Sequence, residues 1–210
     1  MIASFTPEAP DWTVRWEEID RALPWIAAMR DVPQDPIHHA EGDVWIHTRM
    51  VCEALVALPA WRELDAPLRE RLFVAALLHD VAKPKTTVVQ DDGRVRSPGH
   101  SPTGSVMARE LLWRAGWPAS VREPVCGLIR FHQVPYFAVD HPEARSVVIR
   151  LSQSVSAREL AMLCEADIRG RHCADQPGQL DNIELFREYC TELGCFEHPY
   201  PFASDHARAM

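Results

Sequence analysis

Apolar positions along this chain recur mainly at helical spacing, and Gly, Pro and short polar residues punctuate them. The densest run is "RLFVAALLHDVAKPKT", residues 71–86, where seven apolar residues from Leu72 to Leu78 lead straight into His79 and Asp80. A helix that is apolar on every side is a buried one. Its predicted start is Asp65 as N-cap with Pro67 in the first turn, and Pro84 stops it. "GDVWIHTRMVCEALVAL" predicts a second helix capped by Asp43, and "SPTGSVMARELLWRAG" another, with Ser101 as cap and Gly116 as terminator. "DWTVRWEEIDRALPWIAAMR" predicts one or two short helices starting at Asp11 and divided at Pro24. "PASVREPVCGLIRFH", "HPEARSVVIRLSQSV", "SARELAMLCEADIRGR" and "LDNIELFREYCTELG" complete the helical set. One stretch, "TTVVQDDGRVRSPG", breaks the period: β-branched residues flank Asp92-Gly93, which predicts a tight hairpin near residues 86–97. The fold class expected is all-α, one helical bundle with a small β-hairpin and no internal repeat.

Composition narrows the class. Of 210 residues, 47% are hydrophobic and 25% charged, enough for a sizeable core in one soluble domain. No apolar run is long enough to span a bilayer, and the N-terminal stretch lacks the basic-then-apolar pattern of a secretory signal. A cytoplasmic protein without a membrane partner is the expectation. The six cysteines show no CxxC spacing and sit mostly at apolar positions, which predicts buried free thiols. The net charge of −8 argues against extended binding to duplex nucleic acid, whose affinity rests on many Lys/Arg–phosphate contacts. Trp45, Trp113 and Trp117 are assigned to packing rather than to base stacking.

Candidate chemistry lies where polar residues interrupt apolar stripes. His47 shares a face with Met50, Val51, Ala54, Leu55 and Leu58; Asp167 shares one with Leu160, Leu163 and Cys164. His132 closes the stripe of Val121, Val125, Leu128 and Ile129, and His100 stands just before its helix. A buried ionised carboxylate needs a cation or dense hydrogen bonding. Each residue alone has an ordinary explanation: a satisfied core histidine, a cap, or an ion pair of Asp167 with Arg169 or Arg171. A divalent metal held by imidazoles and carboxylates accounts for all six together. His38, His39, His141 and His172 fit no stripe and are assigned to surface or loop positions; His198 and His206 lie in the tail.

The order His47, His79-Asp80, Asp167, in the contexts "GDVWIHTRMV", "FVAALLHDVAKP", "GHSPTGSVMARELL" and "CEADIRGR", resembles the HD superfamily of metal-dependent phosphohydrolases. The similarity is strongest to the HD domain of bacterial tRNA nucleotidyltransferases (CCA-adding enzymes) and to the HD module that accompanies polynucleotide kinase in RNA end-healing proteins. It implies a 1–34 helical extension, a 35–195 HD domain and a loose 196–210 tail. Within these residues there is no GxxxxGK[ST] P-loop and no nucleotidyltransferase palm ahead of the first motif.

By resemblance, His47, His79, Asp80 and Asp167 bind one metal, and His100 and His132 bring a second, with Asp80 bridging. A mononuclear site, with His100 and His132 on the substrate, stays open. The ion would be Mn, Fe, Co, Ni, Zn or Mg. Lys83, four residues after His79, is expected to bind a phosphoryl oxygen, though a lysine also suits a helix C-terminus. Arg169 and Arg171 are expected either as a phosphate clamp or as a solvated helix end. Glu165 is either a partner of a ligand histidine or a surface charge, and Arg94 and Arg96 are assigned to an exposed hairpin. The implied reaction is metal-assisted hydrolysis of a phosphomonoester or 2′,3′-cyclic phosphodiester of a nucleotide or RNA end. An idle RNA-binding or dimerisation module, and a hydrolase of free nucleotides, remain as other readings.

Overall fold

Asp43, Asp65 and Ser156 each accept, through a side-chain oxygen, the backbone N–H three residues ahead, at 2.8, 2.9 and 3.2 Å. These caps set the starts of three helices that matter most to the site. In the computed structural model, which describes residues 2–202, a 3-10 turn at Ile2–Phe5 precedes α1 (Trp16–Ala22) and a 3-10 stretch at Pro24–Met29. Then follow α2 (Val44–Ala57), α3 (Pro59–Arg62), α4 (Ala66–Leu78) and α5 (Lys83–Thr86). Strands β1 (Val88–Val89) and β2 (Val95–Arg96) come next. The rest is α6 (His100–Arg114), α7 (Ala119–Phe131), α8 (Ala144–Ser152), α9 (Ala157–Arg169) and α10 (Gln176–Glu192).

The all-apolar run decides the architecture. Leu72 through Leu78 are each 0% exposed, so α4 is the central rod, and α2, α7 and α9 pack around it. Burying each of its large side chains contributes up to roughly 1.5–3 kcal/mol. Helix α6 packs on α7, and α10 on α9. Ile2, Phe5, Ile19, Leu23, Ile26 and Met29 from the N-terminal segment join the same core. The hairpin is antiparallel, pairing Val88 with Arg96 and Val89 with Val95, and Gly93 takes the left-handed turn position at φ 81.

Close approach of α2 and α9 depends on Gly170. A Cβ at that position would stand 2.7 Å from the backbone nitrogen of Val51 and 2.8 Å from its Cα. Only a residue without a side chain lets the end of α9 lie against α2, and these two helices carry Asp167 and His47.

Several expected boundaries shift. Asp11 caps nothing: Trp12 turns into the left-handed region (φ 50) and the helix waits until Trp16. Helix α6 starts at His100 with Gly99 (φ 70) at the cap position, while Ser101 donates its hydroxyl to Gln133. Helix α10 starts at Gln176, ahead of the predicted stretch. Trp45 and Trp117 are buried, but Trp113 is 65% exposed, correcting its assignment to packing. Cys52, Cys126, Cys164, Cys190 and Cys195 are buried thiols and Cys173 is half-buried. In the segment expected as a loose tail, Tyr200 receives the Gln153 amide on its carbonyl and donates its N–H to Ser152. Residues 203–210 of that segment lie outside the described residues. No helix among the described residues is long and apolar enough to cross a membrane.

Candidate metal centre

Five helices meet at one point. Helix α2 brings His47 from its first turn, α4 ends on His79 with Asp80 next, α6 begins at His100, α7 ends on His132, and α9 brings Asp167 from its last turn. None of these six residues is more than 6% exposed. The helix ends do the orienting. Nδ1 of His79 donates to the carbonyl of Ala76 at 2.7 Å, and Nδ1 of His132 to that of Ile129 at 2.8 Å. These are last-turn carbonyls that lack an intrahelical partner. Nδ1 of His100 donates to the carbonyl of Ser97 at 2.8 Å, and Nδ1 of His47 lies 2.9 Å from Glu41 Oε1. Carbonyls only accept, so Nδ1 of His79, His132 and His100 carries its hydrogen and leaves Nε2 for the centre, while Nδ1 of His47 faces Glu41 without an aligned hydrogen bond.

The Nε2 atoms point at each other and at Asp80. His47 and His79 approach Nε2 to Nε2 at 3.4 Å, and His100 and His132 at 3.3 Å. Asp80 lies between the pairs. Its Oδ2 is 3.2 Å from His79 and 3.7 Å from His47; its Oδ1 is 3.4 Å from His100 and 4.0 Å from His132. Asp167 Oδ1 stands 3.1 Å from His47 Nε2. Neither Asp80 oxygen has an aligned hydrogen-bond donor among the described residues, although Lys83 Nζ is 2.8 Å from Oδ2.

Electrostatics sharpen the picture. Burial works against both carboxylates. Even so, His79, Lys83 and His100 around Asp80, and Arg171 and His47 beside Asp167, hold them well below the ordinary value of 3.8. Burial, with His79 and His100 close by, pushes His132 down to about 3, and burial also lowers His100. Burial opposes a proton on His79 too, but the Asp80 and Asp167 charges outweigh it and raise that imidazole. His100 and His132 are therefore neutral near pH 7, with two bare lone pairs facing each other at 3.3 Å. Nothing among the described residues stabilises that contact, whereas a cation would. Neutral imidazoles sharing a carboxylate are also a donor set for divalent first-row metals. His47, His79 and Asp80 form one cluster able to hold an ion, and Asp80, His100 and His132 a second. The residues fit the group.

Residues that sequence reasoning passed over complete the surroundings. Glu41 has a side chain only 1% exposed; its Oε1 takes His39 Nδ1 at 2.8 Å as well as His47, and its Oε2 accepts the backbone N–H of His172 at 2.9 Å. Burial opposes its charge, yet those three contacts hold its carboxyl far below the ordinary value. His39, expected at a surface or loop position, lies in the loop ahead of α2 and packs edge-on against His47 at 4.6 Å between centroids. Tyr136, from a 3-10 turn after His132, donates its hydroxyl to Asp167, and Gln34 accepts from Lys83 Nζ at 2.6 Å.

The two arginines after Asp167 part company. Arg171 is half-buried and grips both Asp167 oxygens, at 3.0 and 2.6 Å, with its guanidinium over the Tyr136 ring. Arg169 turns outward to Glu165, which also takes Arg187 and so ties α9 to α10. Arg169 thus pairs away from Asp167, and the partners of Glu165 are arginines rather than a histidine. A cavity of about 440 Å³ opens over the centre, lined by Asp80, Lys83, His100, His132, Asp167 and Arg171 below and by Gln34, His38, His39 and Arg96 around it. Arg94 pairs with Asp35 at 2.5 Å, fastening the hairpin to the loop before α2.

Comparison with known proteins agrees with this arrangement. The chain is 36% identical over 120 residues to a multifunctional CCA protein of Halorhodospira halophila, covering 57% of this chain and 26% of the relative. It is 38% identical over 111 residues to a CC-adding tRNA nucleotidyltransferase of Thermus thermophilus, covering 52% and 24%. With a multifunctional CCA protein of Ralstonia nicotianae it shares 30% over 174 residues, covering 80% and 38%. The chain thus spans between a quarter and two-fifths of the length of these relatives. The profile of the HD domain matches residues 44–168, well over half of the chain and the stretch that holds all six converging residues. The chain belongs to the HD-domain family.

Proposed function

We propose that this chain is a metal-dependent phosphohydrolase that cleaves a phosphomonoester or a 2′,3′-cyclic phosphodiester of a nucleotide or RNA end, with water as the nucleophile. The observation that carries the reading is the pair of neutral imidazoles turned lone pair to lone pair beside an Asp80 carboxylate with no aligned donor. His47, His79, Asp80 and Asp167 would hold one ion, and Asp80, His100 and His132 a second. A divalent ion bound there supplies Lewis acidity toward a phosphoryl oxygen and lowers the pKa of water. Lys83, 2.8 Å from Asp80 and steadied by Gln34, is placed to meet a phosphoryl oxygen as charge gathers on it. Arg171 keeps Asp167 ionised and aimed at the centre, and its charge adds to the positive field at the cavity floor. The functional unit takes in residues 35–195, with Gln34 reaching it from the preceding segment.

Two things favour an RNA-end substrate: a relative named as a CC-adding tRNA nucleotidyltransferase, and a cavity sized for one nucleotide-like group. The test is release of phosphate from an aryl phosphate, free nucleotides, and oligoribonucleotides with 2′-, 3′- or 2′,3′-cyclic phosphate ends, with Mn, Co, Ni or Mg added. Metal-dependent turnover that favours the oligoribonucleotide ends is expected. Preference for free nucleotides would give the nucleotide-hydrolase reading instead. Metal bound without turnover of any of these would leave an idle module.

A further inference from the structure

The hairpin stands at the rim of the cavity, and one of its residues has no stated task. Four cationic side chains line the cavity or its edge, and three of them are committed. Lys83 is 2.8 Å from Asp80 and 2.6 Å from Gln34; Arg171 is held by Asp167 and Tyr136; Arg94 is paired with Asp35. Arg96 lines the same cavity, is exposed, and has no ion-pair or side-chain hydrogen-bond partner among the described residues. Its backbone is not free to wander. Arg96 pairs with Val88 in the ladder, the Thr87 and Ser97 hydroxyls bond at 2.8 Å beneath it, and the Arg94–Asp35 pair fixes the turn. Ser97 in turn holds the His100 imidazole, so the hairpin and the centre share one frame. The cavity, at about 440 Å³, has more room than a single phosphate needs.

We propose that Arg96 forms a second anion subsite that binds a phosphate next to the one being hydrolysed. A nucleoside monophosphate has no such group. An oligoribonucleotide end does, in the phosphodiester joining its last nucleotide to the one before, and a nucleoside bisphosphate has one at its 5′ position. Arginine suits either, since its planar fork donates to two phosphate oxygens at once. The proposal rests on the phosphohydrolase reading and narrows its substrate to one carrying two phosphate groups.

The experiment compares kcat/KM for three substrates on the metal-loaded full chain. These are a cytidine monophosphate bearing whichever 2′-, 3′- or cyclic group is turned over, the same compound with an added 5′-phosphate, and a dinucleotide with the same end group. The wild-type protein is expected to favour the second and third over the first by about tenfold at low salt, with the advantage shrinking as salt rises. Arg96→Ala is expected to bring that ratio close to one, and Arg96→Lys to restore part of it. Favour for the dinucleotide but not the bisphosphate assigns the subsite to the internucleotide phosphodiester; equal favour assigns it to any second phosphate. A ratio that Arg96→Ala leaves unchanged, or an equal loss on all three substrates, overturns the proposal while the phosphohydrolase reading stands. No turnover of any of the three by the wild-type protein overturns that reading, and the subsite with it.

Discussion

Glu41 shows how much a single carboxylate can settle at the centre. It lies in the loop ahead of α2, yet its buried side chain engages His39 and stands 2.9 Å from His47 Nδ1 with the same oxygen. A carboxylate behind a ligand imidazole makes it a better base and locks its orientation. Glu41→Gln keeps the size and loses the charge, and it cannot accept both imidazole N–H groups as strongly. Metal affinity, read by titration with Mn or Co, is expected to fall by about 10–100-fold, with the circular dichroism spectrum intact. Unchanged affinity would mean that His47 needs no such support. The six converging residues were legible in the sequence because five interrupt or end an apolar run and His100 stands at the start of a helix. Glu41 was not: six residues before His47, outside any period and next to Gly42, it reads as a solvated acid. His39 lies in the loop it was expected in, but nothing in the sequence signalled its packing against His47. Tyr136 carried one faint signal, its position four residues after His132.

At the scale of elements, the centre is a meeting of helix ends, and small changes in how helices approach one another bear on it directly. Gly170 sits where α9 ends against α2, and the added Cβ of Gly170→Ala would meet Val51 backbone rather than a movable side chain. The helices must part slightly, at a cost of about 1–3 kcal/mol. The expected result is a lower Tm, by about 2–4 °C per kcal/mol, together with weaker metal binding, because His47 and Asp167 ride on the separated pair. Gly178→Ala in α10 is the control: no atom lies within 4 Å of its added Cβ, so stability should hold or rise slightly. If Gly170→Ala matches that control, the α2–α9 contact is not limiting. Most elements followed from caps and apolar runs, as Asp43 and Asp65 show. The starts of α6 and α10 did not, because a left-handed glycine can replace a capping side chain, and because tertiary contacts carried α10 beyond its apolar stretch.

For the whole molecule, an ion at the centre links charge, pH and stability. In the folded, metal-free protein burial opposes a proton on His79, but the Asp80 and Asp167 charges outweigh it and raise its pKa above 6.5. That proton contributes stability fully below 6.5, and the contribution is lost as pH rises through the folded value. A metal ion must displace the same proton, so its affinity grows as pH rises, while His100 and His132, lowered by burial, have no proton to give up near neutrality. The gap in Tm between metal-loaded and chelator-treated protein is therefore expected to widen between about pH 6 and pH 8. At a free ion concentration of about 100 Kd the linkage contributes about 2.7 kcal/mol. A gap that narrows over that range would show that His79 is not displaced.

The central claim is that Asp80 joins two ion-binding clusters into one centre. Elemental analysis of the full chain after incubation with Mn, Co, Ni or Zn and removal of the excess, beside Asp80→Ala treated in the same way, tests it most directly. The expected result is two divalent ions per wild-type chain and loss of both from a folded Asp80→Ala protein. A folded variant that keeps the wild-type stoichiometry, or a folded wild-type protein that takes up no ion under any of these conditions, would contradict it.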